Sequence, residues 1–181
     1  MERPTRAVFL DRDGVINAAE VRDGRPYPPT KIEEFRLLPG VREACNLLRN
    51  SGFLLVVATN QPDVGRGRQN QSEVEDMHRV MCEALPIDRV EVCYDAGEHA
   101  SEFRKPQPGM LLRAADELSI DLSRSYMVGD RWRDVDCGHA AGCRTIFIDY
   151  GYNECLRTQP DFRAGDLLTA ARLIISTSGG S

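Results

Sequence analysis

Two aspartates stand two residues apart, directly after the first apolar run of the chain. They are Asp11 and Asp13, and Gly14 follows them. Carboxylates at this spacing after a strand can converge on one cation, since oxygen ligands are those that Mg²⁺ takes. Asp13 could also stand beyond Asp11 as a general acid. Taken alone, the tetrapeptide Asp-Arg-Asp-Gly at residues 11–14 fits a polar turn that ends at Gly14 equally well.

Three further groups of polar residues follow apolar runs or precede helical patterns. Thr59 and Asn60 follow the second run, where a hydroxyl and backbone N–H groups can hold phosphate oxygens. Lys105 precedes a helical pattern and offers a compact positive charge. Asp130 can complete a metal shell, and Asp134 lies one helical turn further on. Each group alone also has an ordinary explanation as a turn, a solvated basic pair or a helix start.

The apolar runs that must position these residues alternate with helical patterns, which is typical of βα units around a parallel sheet. We predict strands at residues 7–10, 53–58, 90–94, 126–128 and 145–148. We predict helices over about residues 39–49, 72–85, 108–119, 133–142 and 165–175. The polar groups fall just beyond the carboxyl ends of the strands, where open parallel sheets bind their ligands. The sequence therefore predicts an α/β fold, a Rossmann-like parallel sheet of about five strands flanked by helices.

The domain organisation follows from length and composition. With 181 residues the chain can bury one full α/β core, and no internal repeat or second domain is visible. We expect one domain over residues 1–176 and a disordered tail at 177–181. A polar connection rich in proline and glycine covers residues 12–38, and a loop that long inside a domain is usually functional.

Together the four polar groups are far more specific than any one of them. They occur in the order Asp-x-Asp, Thr, Lys, Gly-Asp-x-x-x-Asp, and over residues 7–150 the sequence resembles the haloacid dehalogenase-like (HAD) phosphohydrolase superfamily. The segments FLDRDGVIN, LLPGV, ATNQ, RKPQPGML and VGD are similar to its subgroup of heptose-bisphosphate and histidinol-phosphate phosphatases. The resemblance implies a HAD-like fold without a large cap.

The resemblance also implies a role for each residue of the motifs. Asp11 would be the nucleophile and form an aspartyl-phosphate, while Asp13 would protonate the leaving alkoxide and then activate water. Thr59 and Lys105 would stabilise the phosphoryl group, and Asp134 would support Lys105. Positive charge from Mg²⁺ and Lys105 would cancel the repulsion between a carboxylate and a phosphate dianion. The implied Mg²⁺ ligands are the Asp11 carboxylate, the Asp13 backbone carbonyl and Asp130.

A small phosphorylated sugar is the partner that the resemblance implies. Heptose 1,7-bisphosphate is favoured, because an arginine near the mouth of the site could take a second phosphate in bidentate fashion. The candidate substrate-binding residues are Arg12, Asn60, Gln61, Arg66, Arg104 and Arg131. Either anomer or a related sugar phosphate also fits, because residues 17–35 differ from the corresponding loop of the heptose enzymes. Histidinol-phosphate phosphatase and nucleic-acid 3′-phosphatase activities remain alternatives.

A zinc loop found in many members of the subgroup is altered here. That loop carries a Cys-x-His pair and a Cys-x-Cys pair before the Arg-Lys-Pro element. Within residues 93–103 only Cys93 and His99 remain as plausible ligands. A structural zinc usually needs four ligands, so we expect none.

Composition narrows the class of protein further. The net charge of −5 argues weakly against a nucleic-acid partner, and no apolar stretch suits a secretion signal or a membrane span. The six cysteines show no Cys-x-x-Cys pair, which favours reduced thiols. We therefore expect a cytoplasmic monomer.

Non-enzymatic modules remain as alternatives. A phosphorelay receiver also gathers acids, a threonine and a lysine around magnesium. In a receiver the phosphorylated aspartate follows a later strand, and the threonine comes after that aspartate. Here Asp11 follows the first strand, Thr59 comes second, and the acids Asp130 and Asp134 come last. A catalytically silent binding module of the same fold is the other alternative, although every core catalytic residue is present.

Overall fold

The predicted apolar runs form the strands of one parallel sheet. The computed structural model describes residues 5–97 and 101–178. Its strands are β1 (Arg6–Leu10), β2 (Glu20–Arg22), β3 (Arg25–Tyr27), β4 (Phe53–Asn60), β5 (Arg89–Cys93), β6 (Tyr126–Gly129), β7 (Arg144–Ile148) and β8 (Phe162–Ala164). Six of them form a sheet in the order β5-β4-β1-β6-β7-β8, with every neighbouring pair parallel. The predicted α/β class and parallel sheet are confirmed.

The sheet differs from the prediction in two places. The sixth strand, β8, was not predicted, because it has three residues and lacks an apolar run. The prediction also ended β4 at residue 58, whereas the strand continues through Thr59 and Asn60, which pair with Val92 and Cys93. Those two polar residues therefore end a strand and do not lie in a loop after it.

The central strands are buried on both faces, as expected of a parallel sheet covered by helices. Their side chains alternate between two core clusters. One cluster contains Val8, Leu10, Leu55 and Val57, and the other contains Ala7, Phe9, Val56 and Ala58. All of these side chains are fully buried, so the ends of β1 and β4 are held rigidly.

Helices cover the two faces of the sheet. They are α1 (Val41–Asn50), α2 (Pro62–Gly65), α3 (Gln71–Ala84), α4 (Gly109–Leu118), α5 (Trp132–Ala141) and α6 (Leu167–Ser178). Residues of α1, α3 and α6 belong to one core cluster, and residues of α4 and α5 to the other. The single turn of α2 was not predicted. The last helix includes residues 177 and 178 of the predicted tail, and residues 179–181 lie outside the described part.

The long connection after β1 contains a small hairpin. β2 and β3 pair antiparallel through a turn at Asp23 and Gly24, which both have positive φ, as in two-residue hairpin turns. Asn17 forms isolated bridges to Asp13 and to Leu37, so the two ends of the connection are held together. In the described ranges this hairpin is the sole addition to the main sheet, and a large cap is absent.

Two composition-based expectations can be compared with the structure. All six cysteines are free thiols, and four of them are buried. Across residues 5–97 and 101–178, every helix is too short or too polar to cross a membrane.

Candidate active site

The carboxyl ends of neighbouring strands bring the predicted residues together. Asp11 follows β1, Thr59 lies at the end of β4, and Asp130 follows β6. Because β1 lies between β4 and β6 in a parallel sheet, these residues meet at one edge. Lys105, before α4, and Asp134, in the first turn of α5, reach the same point.

Lys105 is the cation at the centre of this group. Its Nζ lies 2.8 Å from Asp11 Oδ1 and 2.7 Å from Asp134 Oδ1, and its side chain is buried. Burial lowers the pKa of Lys105, but the two carboxylates outweigh that effect, so the pKa is raised above its ordinary value. Lys105 is therefore held as an ammonium ion.

Asp11 carries the nearest carboxylate. Burial raises the pKa of Asp11 to about 6, and Lys105 opposes that rise while Asp134 and Asp13 add to it. Its Oδ1 accepts hydrogen bonds from Lys105 Nζ and from the Arg12 backbone N–H at 2.9 Å. In the described residues Oδ2 receives no such bond, so it is the oxygen left for a reacting group. Asp11 also lines the cavity described below.

Asp130 lacks the partners that a buried carboxylate normally has. Among the described residues no donor meets the geometry of a hydrogen bond to either of its side-chain oxygens. The Tyr152 hydroxyl lies near enough to act against the rise of the Asp130 pKa that burial causes. Burial raises the pKa of Asp130 well above its ordinary value, and Asp11 and Asp134 raise it further. Carboxylate oxygens of Asp11, Asp130 and Asp134 lie within 4.8 Å of one another. A hard divalent cation takes such oxygens, so these residues fit a Mg²⁺ ion.

Gly14 allows Asp130 to approach the first strand closely. A Cβ atom at Gly14 would lie 2.1 Å from Asp130 Oδ2, and φ at Gly14 is +86°, a conformation that other residues rarely adopt. The glycine after Asp-x-Asp is therefore needed to bring Asp130 beside Asp11.

Asp13 is held by a separate set of donors. Its carboxylate accepts from Arg12 Nη2 at 2.9 and 3.0 Å, from Asn17 Nδ2 at 2.9 Å and from Gln61 Nε2 at 2.8 Å. These bonds fix its orientation while it still lines the cavity. Asn17 was not identified from the sequence, because an asparagine four residues after Asp13 is not distinctive by itself.

Arg12 does not reach the cavity. It is fully buried, it pairs with Asp13, and its Nη1 donates to His78 Nε2 at 3.2 Å. Burial first, and then Arg12, lowers the pKa of His78 to about 4, so the imidazole is neutral and can accept. The Arg12 guanidinium is therefore bound to Asp13 and His78 and is absent from the lining of the cavity, so it is not free to take a phosphate in this arrangement. A contact of Arg12 with substrate stays a prediction. Sequence reasoning missed His78, because its position in a helical pattern is the only signal that it carries.

Gln61 is likewise behind the cavity wall. It is 2% exposed, and its Nε2 donates to Asp13 Oδ2 and to Thr59 Oγ1 at 2.9 Å. Its amide N–H groups link two predicted catalytic side chains, and Gln61 is absent from the lining of the cavity, so its predicted contact with substrate stays a prediction that this arrangement does not favour. Thr59 is itself buried and lies beside that link.

Asn60 fixes the backbone of Lys105. Its Nδ2 donates to the Lys105 carbonyl at 3.0 Å, and the Lys105 N–H donates to Asn60 Oδ1 at 3.0 Å. This pair of bonds ties the end of β4 to the loop before α4. Asn60 also lines the cavity, so its predicted contact with substrate stays open.

A cavity of about 290 Å³ lies over these residues. Its lining consists of Asp11, Asp13, Ala19, Pro26, Tyr27, Pro28, Asn60, Pro62, Asp63, Arg66, Arg68, Lys105, Asp130, Arg131 and Arg133. The hairpin segment contributes Ala19, Pro26, Tyr27 and Pro28 to the lining. A functional role of residues 12–38 stays a prediction. Four of the lining residues are arginines (Arg66, Arg68, Arg131 and Arg133), so the cavity combines the carboxylates of the site with a group of basic side chains, which we call the basic mouth.

The predicted arginines differ in how free they are. Arg66 donates to Asp63 Oδ1 at 3.1 Å, and Arg131 donates through Nε to Glu154 Oε2 at 2.6 Å. Arg104 lies outside this cavity and lines an adjoining one. Sequence reasoning did not include Arg133, although its position between Asp130 and Asp134 in the last motif is a signal that could have identified it.

The altered zinc loop is only partly described. Cys93 ends β5, is buried, and its carbonyl accepts from the Gln61 N–H at 2.7 Å. His99, the other residue considered as a ligand, lies outside the described residues. The expectation that zinc is absent therefore stays a prediction.

Comparison with known proteins yields relatives over nearly the whole chain. A family model for HAD-like hydrolases matches residues 102–170. The D-glycero-alpha-D-manno-heptose-1,7-bisphosphate 7-phosphatase of Burkholderia mallei is 37% identical over 155 residues, 79% of each chain. The D-glycero-D-manno-heptose-1,7-bisphosphate 7-phosphatase of Thermosynechococcus vestitus is 34% identical over 94% of this chain and 96% of the relative.

A solved structure shares the fold. The D,D-heptose 1,7-bisphosphate phosphatase from B. bronchiseptica, complexed with magnesium and phosphate, superposes with a TM-score of 0.79. The two chains are 24% identical, and the match covers 96% of this chain and 99% of the other. This likeness confirms the HAD-like fold. From the sequence relatives and the fold together, the chain belongs to the HAD-like phosphatases, a family of phosphoric monoester hydrolases that includes the heptose-bisphosphate 7-phosphatases.

Proposed function

We propose that this phosphatase is Mg²⁺-dependent, acts through an aspartyl-phosphate on Asp11, and removes one phosphate from a heptose 1,7-bisphosphate. The observation that carries the proposal is the Asp11 carboxylate beside the buried Lys105 ammonium on the floor of a basic cavity. A phosphate dianion needs positive charge on its far side before a carboxylate can approach it. Lys105 and the arginines of the mouth supply that charge.

The metal would be held by oxygen atoms at the same edge of the sheet. Asp11 and Asp130 supply carboxylate oxygens, and the backbone carbonyl of Asp13 is the third proposed ligand. When bound, Mg²⁺ would neutralise the charge of the carboxylates and of the phosphate, which favours attack. The unpartnered oxygens of Asp130 are the feature that most favours a cation here.

In the first step an Asp11 oxygen attacks phosphorus. The new bond joins Asp11 Oδ2 to phosphorus, and the bond between phosphorus and the sugar oxygen breaks. Asp13 enters this step with its carboxyl group protonated. The sugar oxygen leaves with the bonding electrons and takes that proton, which leaves Asp13 as a carboxylate. Lys105 keeps Asp11 Oδ1 oriented and offsets the negative charge that gathers on the phosphoryl oxygens.

In the second step water replaces Asp11. Asp13, now a carboxylate, takes a proton from a water molecule, whose oxygen attacks phosphorus. The bond between phosphorus and Asp11 breaks, which releases phosphate and restores the Asp11 carboxylate. Arg12, Asn17 and Gln61 keep the Asp13 side chain in position for both proton transfers.

The choice of substrate rests on the relatives and on the basic mouth. The two curated relatives are named for removal of the phosphate at carbon 7 of a heptose bisphosphate. A cavity mouth lined by Arg66, Arg68, Arg131 and Arg133 suits a substrate that carries a second phosphate. We propose the same substrate class and no nucleic-acid partner for this chain.

Phosphate release from a panel of substrates tests the proposal. The panel comprises both anomers of heptose 1,7-bisphosphate, histidinol phosphate and an aryl phosphate, each with Mg²⁺, with chelator and with Asp11→Asn. We expect release from one heptose anomer that requires Mg²⁺ and is lost in Asp11→Asn. Activity confined to the aryl phosphate or to histidinol phosphate would reject the heptose assignment, and activity in chelator would reject the metal requirement.

A further inference from the structure

A second cavity adjoins the one above Asp11. It has a volume of about 360 Å³ and is lined by Gly97, Arg104, Lys105, Pro106, Gln107, Trp132 and Arg133. Two of these residues, Lys105 and Arg133, also line the cavity above Asp11. A ligand that fills both cavities would therefore lie beside both of these cations.

Of the two shared cations, Lys105 is already engaged in ion pairs. It is paired with Asp11 and Asp134, so its charge serves the reacting phosphate. Arg133 makes no ion pair with any described residue, and its Nε is buried without a hydrogen-bond partner there. A buried donor without a partner is unfavourable, so it is suited to an acceptor brought by a ligand.

The other arginines that line the first cavity differ from Arg133. Arg68 also makes no ion pair with a described residue, but it is exposed and does not line the second cavity. Arg66 is paired with Asp63 and Arg131 with Glu154, so neither offers a whole unpaired charge. Arg104 lies close enough to Arg66 and Arg133 that, after burial, those two charges lower its pKa. Positive charge is thus concentrated around Arg133, and an anion placed there would relieve the repulsion.

We propose that Arg133 determines substrate specificity by binding the phosphate that is not removed, with Arg104 across the second cavity. This inference rests on the proposed function, because it gives the two phosphates of a bisphosphate separate sites. The reacting phosphate lies at Asp11 and Lys105, and the remote phosphate lies at the planar guanidinium of Arg133, which can donate two parallel hydrogen bonds.

Kinetics on a matched pair of substrates test the proposal. The pair is heptose 1,7-bisphosphate and heptose 7-phosphate, which differ only in the remote phosphate, and kcat/KM is measured with Mg²⁺. We expect the wild-type enzyme to prefer the bisphosphate. Arg133→Gln should lower kcat/KM for the bisphosphate roughly ten- to hundredfold, the range for a hydrogen bond between charged groups, and change the monophosphate less than about threefold. Arg133→Lys, which keeps the charge, should have a kcat/KM for the bisphosphate between those of the wild type and of Arg133→Gln.

Arg157→Gln is the matched control. Arg157 stacks on Trp132, the residue that precedes Arg133 and lines the second cavity with it, and the guanidinium carbon lies 3.5 Å from a ring centre. Arg157 itself lines neither cavity. Its replacement removes the same charge nearby and should leave the preference unchanged. Equal losses on both substrates in Arg133→Gln, no loss on the bisphosphate, or the same loss in Arg157→Gln would each overturn the role of Arg133. A wild-type enzyme without preference for the bisphosphate would overturn both this role and the proposed substrate.

Discussion

Among the described residues, Lys105 is the cation in contact with the buried carboxylates of Asp11 and Asp134, so the charge balance of the site depends strongly on it. Its ammonium group contacts Asp11 and Asp134, and the oxygens of Asp130 lie in the same cluster. Breaking a buried ion pair by removing one partner is strongly destabilising, because the other charge stays buried without compensation. The residue that stabilises the phosphoryl group in the proposed reaction therefore also stabilises the fold.

Lys105→Met tests both roles of this residue. We expect phosphatase activity to be lost and the free energy of unfolding in metal-free buffer to fall by about 3 kcal/mol. Urea unfolding followed by circular dichroism measures the second quantity. Lys31→Met is the control, since Lys31 is the other lysine of the chain and is exposed. Unfolding at the same urea concentration in Lys105→Met and wild type would contradict the structural role.

At the residue scale the motifs predicted which side chains meet, but not which of them face the cavity. Asp11, Asp130 and Lys105 follow from their positions at strand and helix ends. Arg12 lies between two site aspartates in sequence, yet its side chain turns inward to Asp13 and His78. The direction of the Arg12 side chain depends on the turn after β1 and on its partner from α3, His78. The spacing of the motif alone does not encode either of them.

Helix α3 is joined to the site through one buried imidazole. His78 accepts from Arg12, which in turn holds Asp13. The pKa of His78 is lowered to about 4, from an ordinary value of 6.5, by burial and by the charge of Arg12. Between those two values the unfolded chain binds a proton that the folded chain excludes, so this contribution to stability is lost as the pH falls from 6.5 towards 4.

His78→Gln measures that contribution, since glutamine can still accept from Arg12 but does not titrate. From pH 7 to pH 5 the wild type should lose about 2 kcal/mol more stability than the variant. Urea unfolding at both pH values gives the difference directly. His139→Gln is a control on another helix, where the histidine is exposed. An equal loss of stability in wild type and His78→Gln would show that His78 is not held neutral.

At the scale of elements, long apolar runs were sufficient to predict β1, β4, β5, β6 and β7. They were not sufficient for β8, which has three residues, or for the β2–β3 hairpin, whose residues are exposed or half-buried and show no apolar alternation. β8 is held by its pairing with β7, and the β2–β3 hairpin is held by the turn at Asp23 and Gly24. Both elements therefore depend on contacts outside their own strands. Such context-dependent strands leave little trace in local sequence.

The whole molecule concentrates its acidic groups at one buried edge while keeping the mouth above them basic. Without a cation this edge is a source of instability. The raised pKa of Asp130 means that the folded chain binds its proton more tightly than the unfolded chain, so its contribution to stability falls as the pH rises. At neutral pH a divalent cation should therefore stabilise the entire fold as well as activate it.

Thermal unfolding with and without Mg²⁺ tests this coupling in the absence of substrate. A ligand that binds only the folded state adds about 2.7 kcal/mol at a hundred times its dissociation constant, so the wild-type Tm should rise by several degrees. Asp130→Asn should lose most of that rise. Metal-free Asp130→Asn should also be at least as stable as metal-free wild type. The variant removes a buried charge that no ion pair compensates among the described residues, and its amide oxygen can still accept from the Tyr152 hydroxyl. Asp116→Asn, which removes an exposed carboxylate on α4, should keep the full Mg²⁺ response. A rise in Tm with Mg²⁺ as large in Asp130→Asn as in wild type would place the ion elsewhere. A metal-free Asp130→Asn with a Tm well below that of metal-free wild type would show that the Asp130 carboxylate has a stabilising partner even without the ion.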